Sequence, residues 1–514
     1  MSSYASRTIV SNVNPLYFIA VGLCVVILWR NSQKSPRPPS PPGAYPILGH
    51  VFQVTKDLWI PFTAWKEKYG PILSLNIVGQ QMIVLNTLKA ATDLLDRRSA
   101  IYSDRPRDIV GGEMLSGSHL MVLSAYNDRW RRIRRAAHDI LSASVITKFQ
   151  LLQRTEATLF LDDMIKNPDK WQEHFDRMTS SCMLTMVYGT APMRSHDQPE
   201  IKAIMEYVKD MTEATAPGKH LTQLIPALKH LPLWMAPWKR AALESHERYT
   251  ELFTKFLREG MDRTAHDGSQ TLAQSLGQKV KQATINEKEA AWIGAALMTA
   301  GTEAILTALG WILKTLVVYP EVQRAGQQEI DRVVGRGRFP DFEDLPNLHY
   351  VRAIVFEVMR LFPPTPFAIP HSLREDDWYE GYFLEKGSTV IANVWAINRD
   401  PDIYGPDAEV FNPRRYLDVK GQLKENDINQ CTWRHSDTDR VVFGSALMIT
   451  TAYMLWALNL TPPKDERGVD ITPDIEAYIN VGLIRHVAPF KINVEPRNSD
   501  ILSLLAAAMA PAGS

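Results

Sequence analysis

Glu357 and Arg360 stand three residues apart in the stretch FEVMRL. On a helix that spacing puts a carboxylate and a guanidinium on one face, where they pair. Most such pairs sit on solvated surfaces and contribute little. Here the neighbours are apolar, which predicts burial, and a buried ion pair needs further partners. Arg415, in FNPRRY at 411–416, is the candidate third member. A second constellation is YNDRWRRIRRAAHDIL at 126–141, where Trp130 and Arg134 lie four apart. One helical face carrying both suits charge-assisted hydrogen bonding to an anion, although a plain basic amphipathic helix has the same pattern. His371, in FAIPHSL, is a lone histidine in a strand, a setting more often structural than functional. Glu303 and Ala304 lie among small and apolar residues in IGAALMTAGTEAILTALG.

The elements that must position these groups are mostly helical. Apolar residues recur at helical spacing over 124–145, 148–165, 199–214, 239–264, 285–318, 320–334 and 347–362. Short β-rich pieces intervene, such as ILSLNIVGQQMIVLN at 72–86 and STVIANVW at 388–395. No internal repeat and no long linker divides residues 44–495. Lys and Arg number 57 and so do Asp and Glu, so no global field argues for nucleic acid. The three cysteines, Cys24, Cys182 and Cys431, are scattered, with neither a disulfide framework nor zinc spacing. A hydrolase reading lacks its Gly-x-Ser-x-Gly elbow.

Near the N-terminus, NPLYFIAVGLCVVILWR is just long enough to span a bilayer. Arg30, Lys34 and Arg37 follow it and only Arg7 precedes it, which predicts the main body on the cytosolic side. The expected organisation is a membrane anchor over 1–30, a proline-rich hinge over 31–43, one large domain over 44–495 and a flexible tail over 496–514. The aromatic stretch LIPALKHLPLWMAPWKR at 224–240 offers Leu233, Trp234, Met235 and Trp238 as a second membrane contact.

Taken in order, the Glu-x-x-Arg pair, the Phe-x-Pro-x-Arg-Tyr segment, the Trp-x-x-x-Arg helix and the Ala-Gly-Thr-Glu-Ala run resemble cytochrome P450. Those haem-thiolate monooxygenases include fungal, membrane-bound members to which this chain is similar from its anchor to about residue 495. The resemblance implies a mainly α fold with small β-sheets, a single large domain behind an N-terminal transmembrane helix. It implies haem b as cofactor, with Trp130, Arg134 and His371 on the propionates. Glu357, Arg360 and Arg415 become the structural core behind the haem. Glu303 becomes the acid that helps relay protons, and Ala304 occupies the position of the family's threonine. Thr302 does not replace it, since two helical positions rotate a side chain by roughly 200°. The resemblance also implies NADPH-cytochrome P450 reductase as electron donor, a lipophilic small-molecule substrate, and an endoplasmic-reticulum location, single-pass, with the body facing the cytosol.

One part of the pattern is missing. The family places Phe-x-x-Gly-x-x-x-Cys-x-Gly before a helix ending like LLWALNI. Read from Phe443, those positions hold Ala446, Thr450 and Ala452, while SALMITTAYMLWALNL resembles the helix that should follow. The expectation is an internal loss of about a dozen residues near 444–446, taking the metal-ligating cysteine with it. Cys431 precedes Phe443 with nothing glycine-rich to position it, so no metal ligand is expected and haem retention is weakened. The rival to a monooxygenase is then an inactive, membrane-tethered relative that binds a small apolar ligand or a partner protein.

Overall fold

The computed structural model describes residues 35–54, 57–140, 147–216, 218–263, 270–424 and 437–509; for 437–443 it describes the backbone alone. The expected anchor, Cys24 and Cys431 lie outside these residues. In the first half, α1 (Trp59–Tyr69) precedes the hairpin β1 (Ile72–Ile77) and β2 (Gln80–Leu85). Then come α2 (Asp128–Ile140), α3 (Gln150–Lys166), α4 (Trp171–Tyr188) and α5 (Pro199–Thr215). They are followed by α6 (Pro237–Asp262), α7 (Leu272–Lys281), α8 (Glu287–Val318), α9 (Pro320–Val333) and α10 (His349–Leu361). The second half holds β3 (His371–Ser372), β4 (Asp377–Tyr379), β5 (Tyr382–Leu384) and β6 (Thr389–Ala392). It ends with α11 (Asp437–Ala457), β7 (Leu458–Thr461), β8 (Tyr478–Val481), β9 (Ile484–Val487), β10 (Asn493–Pro496) and α12 (Asp500–Met509).

Helix α8 is the axis of the fold. A capping box starts it: Asn286 accepts from the Glu289 amide while the Glu289 carboxylate accepts from the Asn286 amide. Pro320 ends it, because proline disfavours helical geometry in the residue before it. Its 32 residues span about 48 Å. It packs on α4, α6, α10, α11 and β9. By length and composition it could cross a membrane, yet most of its apolar window is buried inside the protein. One apolar core joins its C-terminal half to α3, α4, α10 and α11, and a second joins its N-terminal half to α4, α5 and α6.

The main sheet runs β1-β2-β6-β3. Strands β1 and β2 are antiparallel, Ile72 opposite Leu85, around a turn where Val78 and Gly79 both take positive φ. Strand β6 joins β2 in parallel and carries β3 antiparallel, with His371 opposite Val390.

Two features depart from the sequence reading. Helix α4 carries no window in that reading because it is buried nearly all round, which erases amphipathic periodicity. The tail also does not fray through Met509. Ile501 and Leu505, four apart on one face of α12, dock into the same core as α3, so local apolar spacing overrides the small-residue composition.

Candidate functional site

The buried pair predicted from FEVMRL is present. Arg360 donates to Glu357 at 2.7 and 2.8 Å, and to the carbonyls of Asn398, Ala408 and Val410 at 2.7, 2.6 and 3.3 Å. Arg415 Nε donates to Glu357 at 3.0 Å, and its other nitrogens hold Asp407 and the carbonyls of Tyr404, Asp407 and Val410. The three side chains thus bolt α10 to the irregular chain from 398 to 415. This is a structural joint, because every nitrogen and oxygen contact in it is internal.

A second group lies where α2 meets β3. Asp104 draws the two together: its Oδ1 accepts from the Tyr126 amide at 2.7 Å, just ahead of α2, and its carbonyl accepts from the Ser372 amide at 2.8 Å. Trp130 is buried, its indole N–H donating to the Met121 carbonyl at 3.1 Å. The Arg134 guanidinium lies over the Trp130 ring, 5.3 Å from its centre, and is exposed to solvent. His371 Nδ1 is 2.7 Å from the Tyr102 carbonyl, which fixes the proton on that nitrogen. A fourth residue joins them that motif reading passed over: Arg105, in YSDRPR. Its guanidinium donates to the Ile369 and Pro370 carbonyls at 3.0 and 2.9 Å, while its buried Nε has no partner. Burial, with the charge of Arg134 nearby, pushes the Arg105 guanidinium down to about 10. The signal was the adjoining Asp104, whose backbone staples make the neighbouring arginine part of the joint.

Glu303 lies elsewhere, against β9. Its carboxylate is 3.4 Å from His486 Nε2 on β9, and His486 Nδ1 is 3.2 Å from the Thr307 hydroxyl. Asp176 on α4 belongs to the same neighbourhood, 3.8 Å from His196. Burial, reinforced by the Glu303 charge and offset by both imidazoles, raises the Asp176 carboxyl to about 6. Thr302 is fully buried with an unpartnered hydroxyl, whereas Ala304 is only half-buried, so the two positions do face differently.

On the side where a cysteine loop is expected, α11 runs unbroken through Phe443, Gly444 and Ser445. Ala446, Thr450 and Ala452 are buried within it, against the core. The described free cysteine, Cys182, is buried in α4, and burial with the nearby Glu156 charge pushes its thiol well above the usual range. Among the described residues no three His, Cys, Asp or Glu side chains gather as a metal site.

A long central helix packed on α10 with its internal ion-paired joint, together with small peripheral sheets, defines a large, mainly helical single-domain fold. A sequence profile of cytochrome P450 matches residues 38–433, stopping short of Phe443. A cytochrome P450 monooxygenase of Armillaria gallica is 37% identical over 503 residues, covering 96% of each chain. Cytochrome P450 monooxygenase 253 of Postia placenta is 39% identical over 514 residues, covering 98% of this chain and 96% of its own. A zebra fish cytochrome P450 structure with progesterone superposes with a TM-score of 0.72 at 21% identity, covering 86% of this chain and 100% of its own. The chain belongs to the cytochrome P450 family.

The family implies haem, and the residues fit it in part. Arg105 and Arg134 are like charges held near each other, one with an orphaned buried N–H, as a dicarboxylate would require. The thiolate that would hold the iron does not fit, since the described thiol is the buried Cys182 of α4 and Thr450 lies within α11.

Proposed function

We propose that the function for which this scaffold is built is oxidation of a lipophilic small molecule, with electrons from NADPH-cytochrome P450 reductase at the endoplasmic-reticulum membrane. In this reading haem propionates pair with Arg105 and Arg134, with Trp130 and His371 beside them, and Glu303 serves proton traffic. The reaction requires a thiolate ligand, so it belongs to a form of the protein that carries the Gly-x-x-x-Cys-x-Gly loop after Phe443. The observation that carries the reading is the Arg105–Arg134 pair of like charges, with an orphaned buried N–H on Arg105, together with a complete Glu357–Arg360–Arg415 joint. A mature transcript with no frame restoring that loop would refute it.

A second reading is favoured by the unbroken α11 together with Ala304: the chain as it stands binds a lipophilic ligand without oxidising it. The reduced, carbon-monoxide-bound spectrum of the purified protein separates the two. A thiolate-type Soret band overturns the binding-only reading, and protein without haem supports it.

Membrane contact is part of the same proposal. Trp234 is 77% exposed, with Leu233 and Met235 beside it half-exposed. Trp238 instead packs on the second core, so three of the four side chains named from the sequence support the contact.

A further inference from the structure

The helical turn Ile109–Leu115 packs on α5 and α6, and the loop that leads from it to α2 sets Met121 against the second core. Three nearly parallel rings fasten it. His119 of the loop, His246 of α6 and Trp292 of α8 have centres 5.7–6.3 Å apart and planes within 17° of parallel. Each imidazole accepts from a cation. Arg129 of α2 donates to His119 Nδ1 at 2.5 Å, and Lys288 of α8 donates to His246 Nε2 at 2.7 Å. With Nε2 accepting, His246 Nδ1 carries the proton and donates to the Leu115 carbonyl at 2.9 Å.

The loop is held tightly and under strain. Gly117 and Ser118 both have φ of +56°, and Ser118 takes that left-handed conformation without glycine's freedom. A Cβ on Gly117 would lie 2.5 Å from the His246 ring. The charged groups around the rings are Arg129 and Arg132 of α2, Glu247 of α6, and Lys288 and Glu289 of α8. Glu289 is already engaged by Arg129, Arg132 and the Asn286 amide, and the exposed Glu247 favours a His246 imidazolium less than Lys288 opposes it.

We propose that this loop is an acid-released latch on the face of the second core, closed while His119 and His246 are neutral acceptors and sprung when either takes a proton. Protonation removes the lone pair that receives the cation and sets two positive charges face to face. Burial, followed by the Arg129, Lys288 and His246 charges, pushes His119 down to about 3. Burial also lowers His246. The latch therefore holds at neutral pH, and its contribution is lost as pH falls below the ordinary histidine range.

Hydrogen exchange at the imidazole carbons, read by mass spectrometry on the full chain, follows each histidine's titration directly. Backbone exchange over 109–124 follows the loop, with α10 as the internal reference. Expected are no midpoint for His119 or His246 in the ordinary histidine range. Loop exchange, corrected for its intrinsic pH dependence, should rise on the order of tenfold as pH falls from about 7 to about 4.5, with α10 unchanged. In a H119F/H246F variant, which keeps the rings but cannot titrate, that rise should vanish. Ordinary midpoints, a flat loop in the unsubstituted protein, or an equal rise in the variant would each overturn the latch. None of these readouts involves haem or turnover, so they stand or fall apart from the monooxygenase reading.

Discussion

Glu357→Gln tests the central joint. Glu357 is 0% exposed and Arg360 1%, and the carboxylate neutralises two guanidinium groups while accepting from the Asn412 amide at 2.8 Å. Glutamine keeps one acceptor oxygen but turns an NH₂ toward Arg360, leaving Arg360 with no carboxylate partner and Arg415 with Asp407 alone, on its solvent side. Breaking a buried pair by removing one partner costs about 3–5 kcal/mol, because the remaining charge stays desolvated. Arg360 cannot relax outward, since three backbone carbonyls from the 398–410 stretch hold its other nitrogens. Urea unfolding followed by tryptophan fluorescence should therefore show a midpoint lowered by that free energy at unchanged slope. Pairing it with Arg415→Gln should give a coupling of about 0.5–3 kcal/mol, as expected of residues in one network. A loss below about 1 kcal/mol would show that the joint is solvated, in the range of surface pairs, and would refute the reasoning.

Three further outcomes follow from the same geometry. Replacing Arg105 and Arg134 by alanine should each weaken haem binding, measured by Soret titration, by about tenfold, the loss of one charge-assisted contact; unchanged affinity would remove them from the propionate role. Asp176→Asn should stabilise the protein more at pH 7 than at pH 4. The folded carboxyl titrates near 6 and the unfolded near 3.8, so its destabilising effect grows as pH rises through that window, to about 3 kcal/mol above it. Equal stabilisation at both pH values would count against that burial. Leu233→Ala, Trp234→Ala and Met235→Ala together should reduce binding of an anchor-deleted protein to liposomes in a flotation assay, and no change would dismiss that surface as a membrane contact.

The order of elements was legible because α8, α9 and α10 announce themselves by apolar spacing and sharp ends, and the β1–β2 hairpin by β-rich residues on either side of Val78–Gly79. The Glu357–Arg360 pair was legible for a related reason: two charges in an apolar helix demand each other. Helix α4 was not, because burial on all sides leaves no periodic contrast. Arg105 was missed because its role depends on Asp104 holding Ser372 of β3, more than 260 residues further along the chain, a placement that no local spacing encodes. His486 and Asp176 were missed likewise, since they meet Glu303 only through the packing of β9 and α4 on α8.

The fold and the chemistry part company at one place, and the bonding shows why the first survives without the second. Arg360 and Arg415 anchor residues 398–415 to α10 by hydrogen bonds that never pass through the region after 424. On its other side α10 meets α11 through apolar contacts, where Leu447, Ile449, Tyr453 and Leu455 fill the core. Gln323 and Gln327 of α9 then seal β7 by donating to the Leu460 and Leu458 carbonyls at 2.8 and 3.0 Å. These two sets of contacts close the surrounding cores without a thiolate loop, so stable protein is no evidence of oxygenase activity here, and only the state of the iron can supply it.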